Sequence, residues 1–420
     1  MKRRSFLCFS WLLTASFVVC ESLFCEIKSL DKNIVYENFS VMVDVDIHKN
    51  IPQPNISRSY SVSRSEVGDF SSIKGYAFSY INNLIVDAVN ASKSTVDCMI
   101  YSIQMKDIPD ALIAARDRGV RIRIIIDEGH VYPKPDAQIK RLINAGEGIE
   151  VRTLRGTQSY GVMHNKITIH DKSLVTTGSY NWTFAATFSN YENIITTREH
   201  YYVDGYVRYF EWMWSKARTI AQGPSQNLPY GYYGTPPQSP ANIITLNGVS
   251  VPLYLFSPGS DTENKLVSLI DAANTTIDAV TFTFSSKPIA DAIIRAHKRG
   301  VKVRFLQDKD MAKSSAMAKM VFDAGVPFKW MGGRNDKGSM HNKFIILDGK
   351  VLGTGSYNFT TNASVNSFEN IIFTNDQSVI NAYALKFEWF YSQAQPPQSV
   401  DEFDEVDISK DLLNSEKEID

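Results

Sequence analysis

Cysteine is scarce, with Cys 4 in the whole chain. Cys8 and Cys20 fall in the N-terminal segment 1–25, together with Cys25 at its edge, and this distribution excludes a disulfide framework. Cys98, inside an apolar strand-like run, reads as a buried thiol. Strong charge of either sign is also missing, the net charge being −1 at pH 7. Without segment 1–25 the net is −3, and segment 401–420 contributes −7, so residues 26–400 carry +4. That mild basicity falls short of the bias of a dedicated nucleic-acid binder. The tail, "DEFDEVDISKDLLNSEKEID", reads as a solvated acidic run. No Cys, His and carboxylate cluster has metal-ligand spacing, so neither metal nor cofactor is expected. Long apolar runs are absent beyond the N-terminus. There, Lys2, Arg3 and Arg4 precede "FLCFSWLLTASFVVC", a stretch of export-signal form and short of the ~20 residues of a membrane span. An exported chain is expected, with residues 1–25 as signal peptide or retained N-terminal anchor.

What the sequence does have is a long internal repeat. "MHNKITIHDKSLVTTGSYNWT" (163–183) aligns without a gap to "MHNKFIILDGKVLGTGSYNFT" (340–360). "ALIAARDRGVRIRIIID" matches "DAIIRAHKRGVKVRFLQD", and "TVDCMIYSI" matches "TIDAVTFTF", both at one common and slightly larger offset. "FEW" recurs at 210–212 and 387–389. Each copy alternates helix-period and strand-like segments, with Gly119 closing one helix. That alternation predicts an α/β fold of two tandem sandwich repeats packed about a pseudo-two-fold axis, with mostly parallel strand pairing. The boundaries expected are 26–71 for an N-terminal extension, 72–218 for repeat one, 219–250 for a Pro/Gly-rich linker, 251–395 for repeat two and 396–420 for the tail.

A duplicated fold accounts for matching apolar positions but not for matching reactive ones. His164 and Lys166 are two apart in a strand-like run, so both leave one face. Asp171, seven on from the His, would point the other way and support the strand or its turn. Ser179 and Asn181 form a second pair of the same spacing. Copy two repeats these as His341, Lys343, Asp348, Ser356 and Asn358. Glu192 stands as far past His164 as Glu369 stands past His341. Two such sets facing one another suit displacement at phosphorus without a metal. Lysines and asparagines would hold the anion, one imidazole would attack, and the other would protonate the leaving group. A Glu bonded to each imidazole would fix its tautomer. His48, His130, His170, His200 and His297 have no counterpart across the repeat and read as background.

"HNKITIHD" and "HNKFIILD" both fit His-x-Lys-x4-Asp, and "GSYN" follows each Asp. Over residues 72–395 the chain resembles the phospholipase D superfamily. The resemblance implies a bilobal α/β sandwich with its active site between the lobes and a covalent phosphohistidine intermediate. It implies His164 as nucleophile and His341 as acid, with Lys166, Lys343, Asn181 and Asn358 on the phosphate and Asp171 and Asp348 completing the motifs. Exchange of the two histidine roles satisfies every spacing equally well. A phospholipid head-group phosphodiesterase touching a membrane surface is the first reading of the substrate. A metal-independent nuclease on DNA or RNA is the alternative, and a phosphatidyl transferase or an inactive scaffold comes after it. No obligate protein partner is implied.

Overall fold

The structure is a computed structural model that describes residues 75–241 and 243–404, all within one compact unit. The predicted leader, the N-terminal extension and the end of the acidic tail lie outside the described residues. Among the described residues, no helix is long and apolar enough to cross a membrane.

The first lobe runs β1 (Gly75–Ala77), α1 (Ile81–Ala91), β2 (Thr95–Ile100), α2 (Asp107–Asp117), β3 (Arg121–Asp127), α3 (Ala137–Ile143) and β4 (Ile149–Leu154). It continues through β5 (Lys166–His170), β6 (Leu174–Gly178), α4 (Phe184–Phe188), β7 (Ile194–Thr197), α5 (His200–Trp214) and β8 (Arg218–Thr219). A small hairpin, β9 (Ile244–Leu246) and β10 (Val249–Val251), lies between the lobes in sequence. The second lobe runs β11 (Tyr254–Ser257), α6 (Thr262–Ala272), β12 (Thr276–Thr281), α7 (Lys287–Lys298), β13 (Lys302–Asp308), α8 (Lys309–Lys313) and α9 (Ala316–Asp323). It closes with β14 (Phe328–Met331), β15 (Phe344–Leu347), β16 (Val351–Gly355), α10 (Thr361–Val365), β17 (Glu369–Thr374) and α11 (Gln377–Gln393).

The two sheets share one plan: β1-β7-β6-β5-β2-β3-β4-β8 in the first lobe and β11-β17-β16-β15-β12-β13-β14 in the second. Pairing departs from the expected parallel pattern. Only β2-β3-β4 and β12-β13-β14 are parallel, and the remaining neighbours are antiparallel. The reason is local. β5 and β6 are joined by a tight turn with Asp171 at φ 50 and Lys172 at φ 51, and β15 and β16 by Asp348 at φ 53 and Gly349 at φ 61. Left-handed residues in so short a connection reverse the chain into a hairpin.

One continuous apolar core spans both lobes, with Tyr206 and Tyr209 from α5 packed against Tyr254 and Phe256 from β11. Buried Phe78 meets Tyr383 of α11 edge-on at 4.9 Å between centroids. A second core, which includes the free buried Cys98, fills the other face of the first sheet. Two sheets sharing a core cannot rotate freely against each other, and this rigidity fixes what lies between them.

Candidate active site

Both histidine motifs sit just where the regular strands begin. β5 starts at Lys166, so His164 precedes it, and in the second lobe His341 and Lys343 both precede β15. The expectation of two residues inside a regular strand therefore needs correction. The histidine backbones are instead stitched to the opposite lobe. His164 N donates to Phe368 O at 3.0 Å and Phe368 N to Val162 O at 2.8 Å. In the mirror arrangement, His341 N donates to Tyr191 O at 3.1 Å and Tyr191 N to Ser339 O at 2.9 Å. These bonds form two inter-lobe β-bridges, Met163–Phe368 and Tyr191–Met340, each with a histidine next in sequence on one strand and a glutamate on the other.

The bridges deliver each glutamate to the histidine of the other lobe. His164 Nδ1 lies 2.7 Å from Glu369 Oε1, and His341 Nδ1 lies 2.8 Å from Glu192 Oε1. Each Glu is equally distant in sequence from its own His, so nothing in the spacing foretold the exchange. A carboxylate only accepts, so each Nδ1 carries a proton, and Nε2 of a neutral ring keeps its lone pair. All four side chains are buried.

The exchange is symmetric in plan but not in detail. Glu192 also accepts from Ser179 Oγ at 2.5 Å and from Asn190 Nδ2 at 3.3 Å. Ser367, the counterpart of Asn190, accepts the backbone N–H of Val162 at 3.1 Å. Among the described residues no side chain donates to Glu369 Oε2, although it is buried. Glu369 thus directs its charge onto one imidazole, whereas Glu192 spreads its charge over three donors. The two imidazoles therefore face carboxylates with different hydrogen-bond loads, one donor on Glu369 and three on Glu192.

Lys166 and Lys343 are buried, and each Nζ donates to the carbonyl of its own motif's histidine, at 2.8 and 2.9 Å. Each ammonium also lies 5.2 Å from a ring centroid, Tyr101 in the first lobe and Phe282 in the second. The same two rings meet His164 and His341 edge-on at 5.2 and 4.9 Å. Two ammonium and two carboxylate groups balance to zero. An incoming phosphodiester anion is therefore matched if one imidazole enters protonated. Asn181 and Asn358 are buried on the turns after β6 and β16, and the backbone N–H of Thr283 donates to Asn358 Oδ1 at 3.3 Å. Ser356 Oγ accepts the backbone N–H of Asn370 at 3.1 Å.

Asp171 and Asp348 are not at this centre. Asp171 accepts the backbone N–H groups of Lys93, Ser94 and Thr95, and Asp348 those of Asn274, Thr275 and Thr276. They lie at the far ends of β5 and β15 and cap the entries of β2 and β12. Placing them among catalytic residues is thus corrected, and the odd spacing from the His had pointed this way. Burial alone would raise their pKa values, but these donors outweigh it and hold Asp171 below the ordinary range and Asp348 at about 2.

Several residues were missed. Asn370 Nδ2 donates to Asn165 Oδ1 at 2.9 Å, and Asn193 Nδ2 to Asn342 Oδ1 at 2.8 Å, each pair crossing the lobe boundary. Tyr206 and Thr177 donate to Asn370 Oδ1, while Tyr383 and Thr354 donate to Asn193 Oδ1. Buried Asp127 and Asp308 accept the N–H of Met163 and Met340, the residue before each histidine, and burial pushes both up to about 6. The signal existed, since all of these asparagines and aspartates recur inside the repeated strings. Gly178 and Gly355 recur for a steric reason: a Cβ there would strike the carbonyl oxygens of Asn193 and Asn370. Among the described residues no group of three or more His, Cys, Asp or Glu is placed to hold a metal.

Residues 85–214 and 266–391, one stretch in each lobe, match the family described as cardiolipin synthase, PLD-like domain. The chain belongs to the phospholipase D superfamily. Mitochondrial cardiolipin hydrolase of Xenopus tropicalis is 35% identical over 173 residues, 40% of this chain and 80% of that protein. The human protein of that name is 34% identical over 139 residues, 33% of this chain and 54% of its own length. Phospholipase D of Rickettsia prowazekii (strain Madrid E) is 30% identical over 169 residues, 39% of this chain and 74% of that one. Each alignment is about one lobe long. The crystal structure of phosphatidylserine synthase from Haemophilus influenzae Rd KW20 superposes with a TM-score of 0.61 at 12% identity, over 80% of this chain and 90% of that one, a likeness of fold. This chain carries both motif sets in one polypeptide, and the fold brings them together.

Proposed function

We propose that this phospholipase D superfamily member hydrolyses the head-group phosphodiester of phospholipids through a phosphohistidine on His164. The observation that carries the reading is the crossed pair of buried His–Glu contacts between two buried lysines. The lone pair of His164 Nε2 attacks phosphorus. The bond from phosphorus to the head-group oxygen breaks, and that oxygen takes a proton from His341. Water then attacks the phosphohistidine and gives its proton to His341. The P–N bond breaks, phosphatidic acid leaves, and His164 returns to the neutral ring. Lys166, Lys343, Asn181 and Asn358 hold the phosphate oxygens.

The unequal surroundings of the glutamates support this order of roles. Glu369, whose charge rests on one ring, suits a nucleophile. Glu192, fixed in place by Ser179 and Asn190 as well, suits a partner that only orients His341 toward the leaving oxygen. The phospholipid reading is supported by the cardiolipin hydrolases and the phospholipase D among the relatives and by the mild charge of the body. Export through the N-terminal stretch belongs to the same proposal and would put the enzyme where lipid surfaces are accessible. The test incubates the full chain with labelled phosphatidylcholine, cardiolipin, and single- and double-stranded DNA in parallel. Release of phosphatidic acid or a free head group is expected. Shortened oligonucleotides with intact lipids would overturn the lipid reading and leave the histidine chemistry standing.

A further inference from the structure

Large apolar side chains on a water-exposed surface are usually scattered, and a cluster marks a contact surface. Twelve large hydrophobic residues are exposed among the described residues, and six stand on the segments that flank the two histidines. They are Tyr160, Tyr230, Tyr232 and Val365 on one side, and Phe184 and Phe188 on the other. Phe184 is 57% exposed and Phe188 61%, extreme values for phenylalanine.

The connections place these residues. On the His164 side, Tyr160 belongs to the loop that enters the first motif, and its hydroxyl lies 3.3 Å from that of Tyr230. Neighbouring Tyr233 packs on Phe368 at 4.8 Å, next to Glu369. Asn362 of α10 donates to Tyr160 O at 3.1 Å, which ties the helix that carries Val365 to the tyrosine loop. On the His341 side, Phe184 and Phe188 sit on α4, the short helix that follows Asn181. Ser189 O accepts Arg334 N of the loop that enters the second motif, and Asn335 Nδ2 donates to Ser189 Oγ at 3.1 Å. α4 and α10 occupy equivalent places in the repeat. A two-fold rotation preserves direction along its own axis, so both helices face the same end of an axis that passes between the histidines. Strand register agrees: His164, the end of β2 and the end of β6 share one sheet edge, through Lys166 opposite Ile100 and Ile167 opposite Thr177.

We infer that this aromatic rim is a membrane-docking surface that seats the histidine site on a lipid bilayer interface, with Phe184 and Phe188 entering the acyl boundary and the tyrosines at head-group level. The inference rests on the phospholipid reading above and extends it to named residues. The chemistry of the side chains favours this occupant. Tyrosine has an apolar body and a polar tip and suits the head-group layer, whereas bare phenylalanines on a short helix have no polar group to satisfy.

The test compares wild type with Phe184→Ser/Phe188→Ser and Tyr230→Ser/Tyr232→Ser in the full chain. Partition onto sedimented vesicles is measured for pure phosphatidylcholine and for phosphatidylcholine with phosphatidylglycerol. Turnover of bis(p-nitrophenyl) phosphate, a soluble diester, is measured alongside. Partition is expected to fall about tenfold or more in each double variant, with turnover of the soluble diester within about twofold of wild type. Equal partition of wild type and both variants overturns the proposal, as does a shared loss of soluble turnover. Binding of a single-stranded oligonucleotide in place of vesicles, lost in the tyrosine variant, also overturns it and identifies the rim as a stacking platform. If vesicles bind through the rim but no lipid is cleaved, the docking surface stands and the substrate reading falls.

Discussion

His170 is buried at the end of β5, with Nδ1 3.1 Å from Ser92 Oγ and Nε2 2.7 Å from Thr168 Oγ1. Burial, aided by Arg198 and opposed by Asp171, drops its pKa from 6.5 to about 3. The folded protein therefore holds the ring neutral while the unfolded chain protonates it below pH 6.5. Its contribution is fully present above pH 6.5 and is lost as pH falls toward 3. At about 1.4 kcal/mol per pH unit, roughly 2 kcal/mol is gone at pH 5. The second lobe has Leu347 at this place, fully buried, so the fold accepts leucine there. His170→Leu should cost about 1–2 kcal/mol at pH 7.5 through the lost hydrogen bonds. Ser92 keeps its bond to Ala88 O and Thr168 its bond to Thr176, which limits the loss. By pH 5 the variant should equal or exceed wild type. Asp127 and Asp308, whose raised pKa values act in the opposite sense between about pH 4 and 6, are common to both proteins and cancel in the difference. Urea unfolding of both proteins at pH 7.5, 6 and 5 measures it. A wild-type-minus-variant difference that stays constant over that range would refute the reasoning.

His164→Ala should abolish turnover and any covalent adduct. His341→Ala should lose roughly 10²–10⁴-fold on alkyl head groups but regain the first step with a p-nitrophenolate leaving group, accumulating phosphohistidine at His164. An adduct trapped on His341 by mass spectrometry reverses the two roles. Glu369→Gln should slow both substrate types, whereas Glu192→Gln should be milder on the activated one; equal effects would remove the asymmetry argument. Asp348→Ala strands three backbone N–H groups at the turn and should lower stability by about 1–3 kcal/mol after allowance for solvent screening. Its kcat at low temperature should stay near wild type, and a large kcat loss in the folded protein would return Asp348 to the catalytic centre.

Much of the site was legible because duplication turns residue identity into a test. A lone His, Lys or Asn in a strand says little, but the same three in register in both copies cannot be explained by packing. What the sequence could not convey was long-range geometry. Spacing places Glu192 and Glu369 equally and cannot say which histidine each serves, because the bridges at Phe368 and Tyr191 are tertiary contacts. Mixed pairing was missed because helix–strand alternation was read over each whole copy, whereas the turns at Asp171 and Asp348 decide it locally. Period-2 reasoning placed Asp171 away from the centre more faithfully than the motif did.

The exchange of glutamates carries a consequence for how such a chain arises and diverges. A solitary lobe would hold a histidine with no carboxylate and a carboxylate with no histidine. Two identical lobes meeting on this face would repair both faults at once, since a two-fold interface is reciprocal by construction. Joining them in one gene keeps that reciprocity while freeing the copies to drift apart wherever they do not touch the exchange. The drift is already visible one layer out, where Tyr101 and His130, their rings 4.8 Å apart, occupy the ground that Phe282 and Met311 hold in the other half. Ancestry is thus held most tightly near the seam and loosens from there outward.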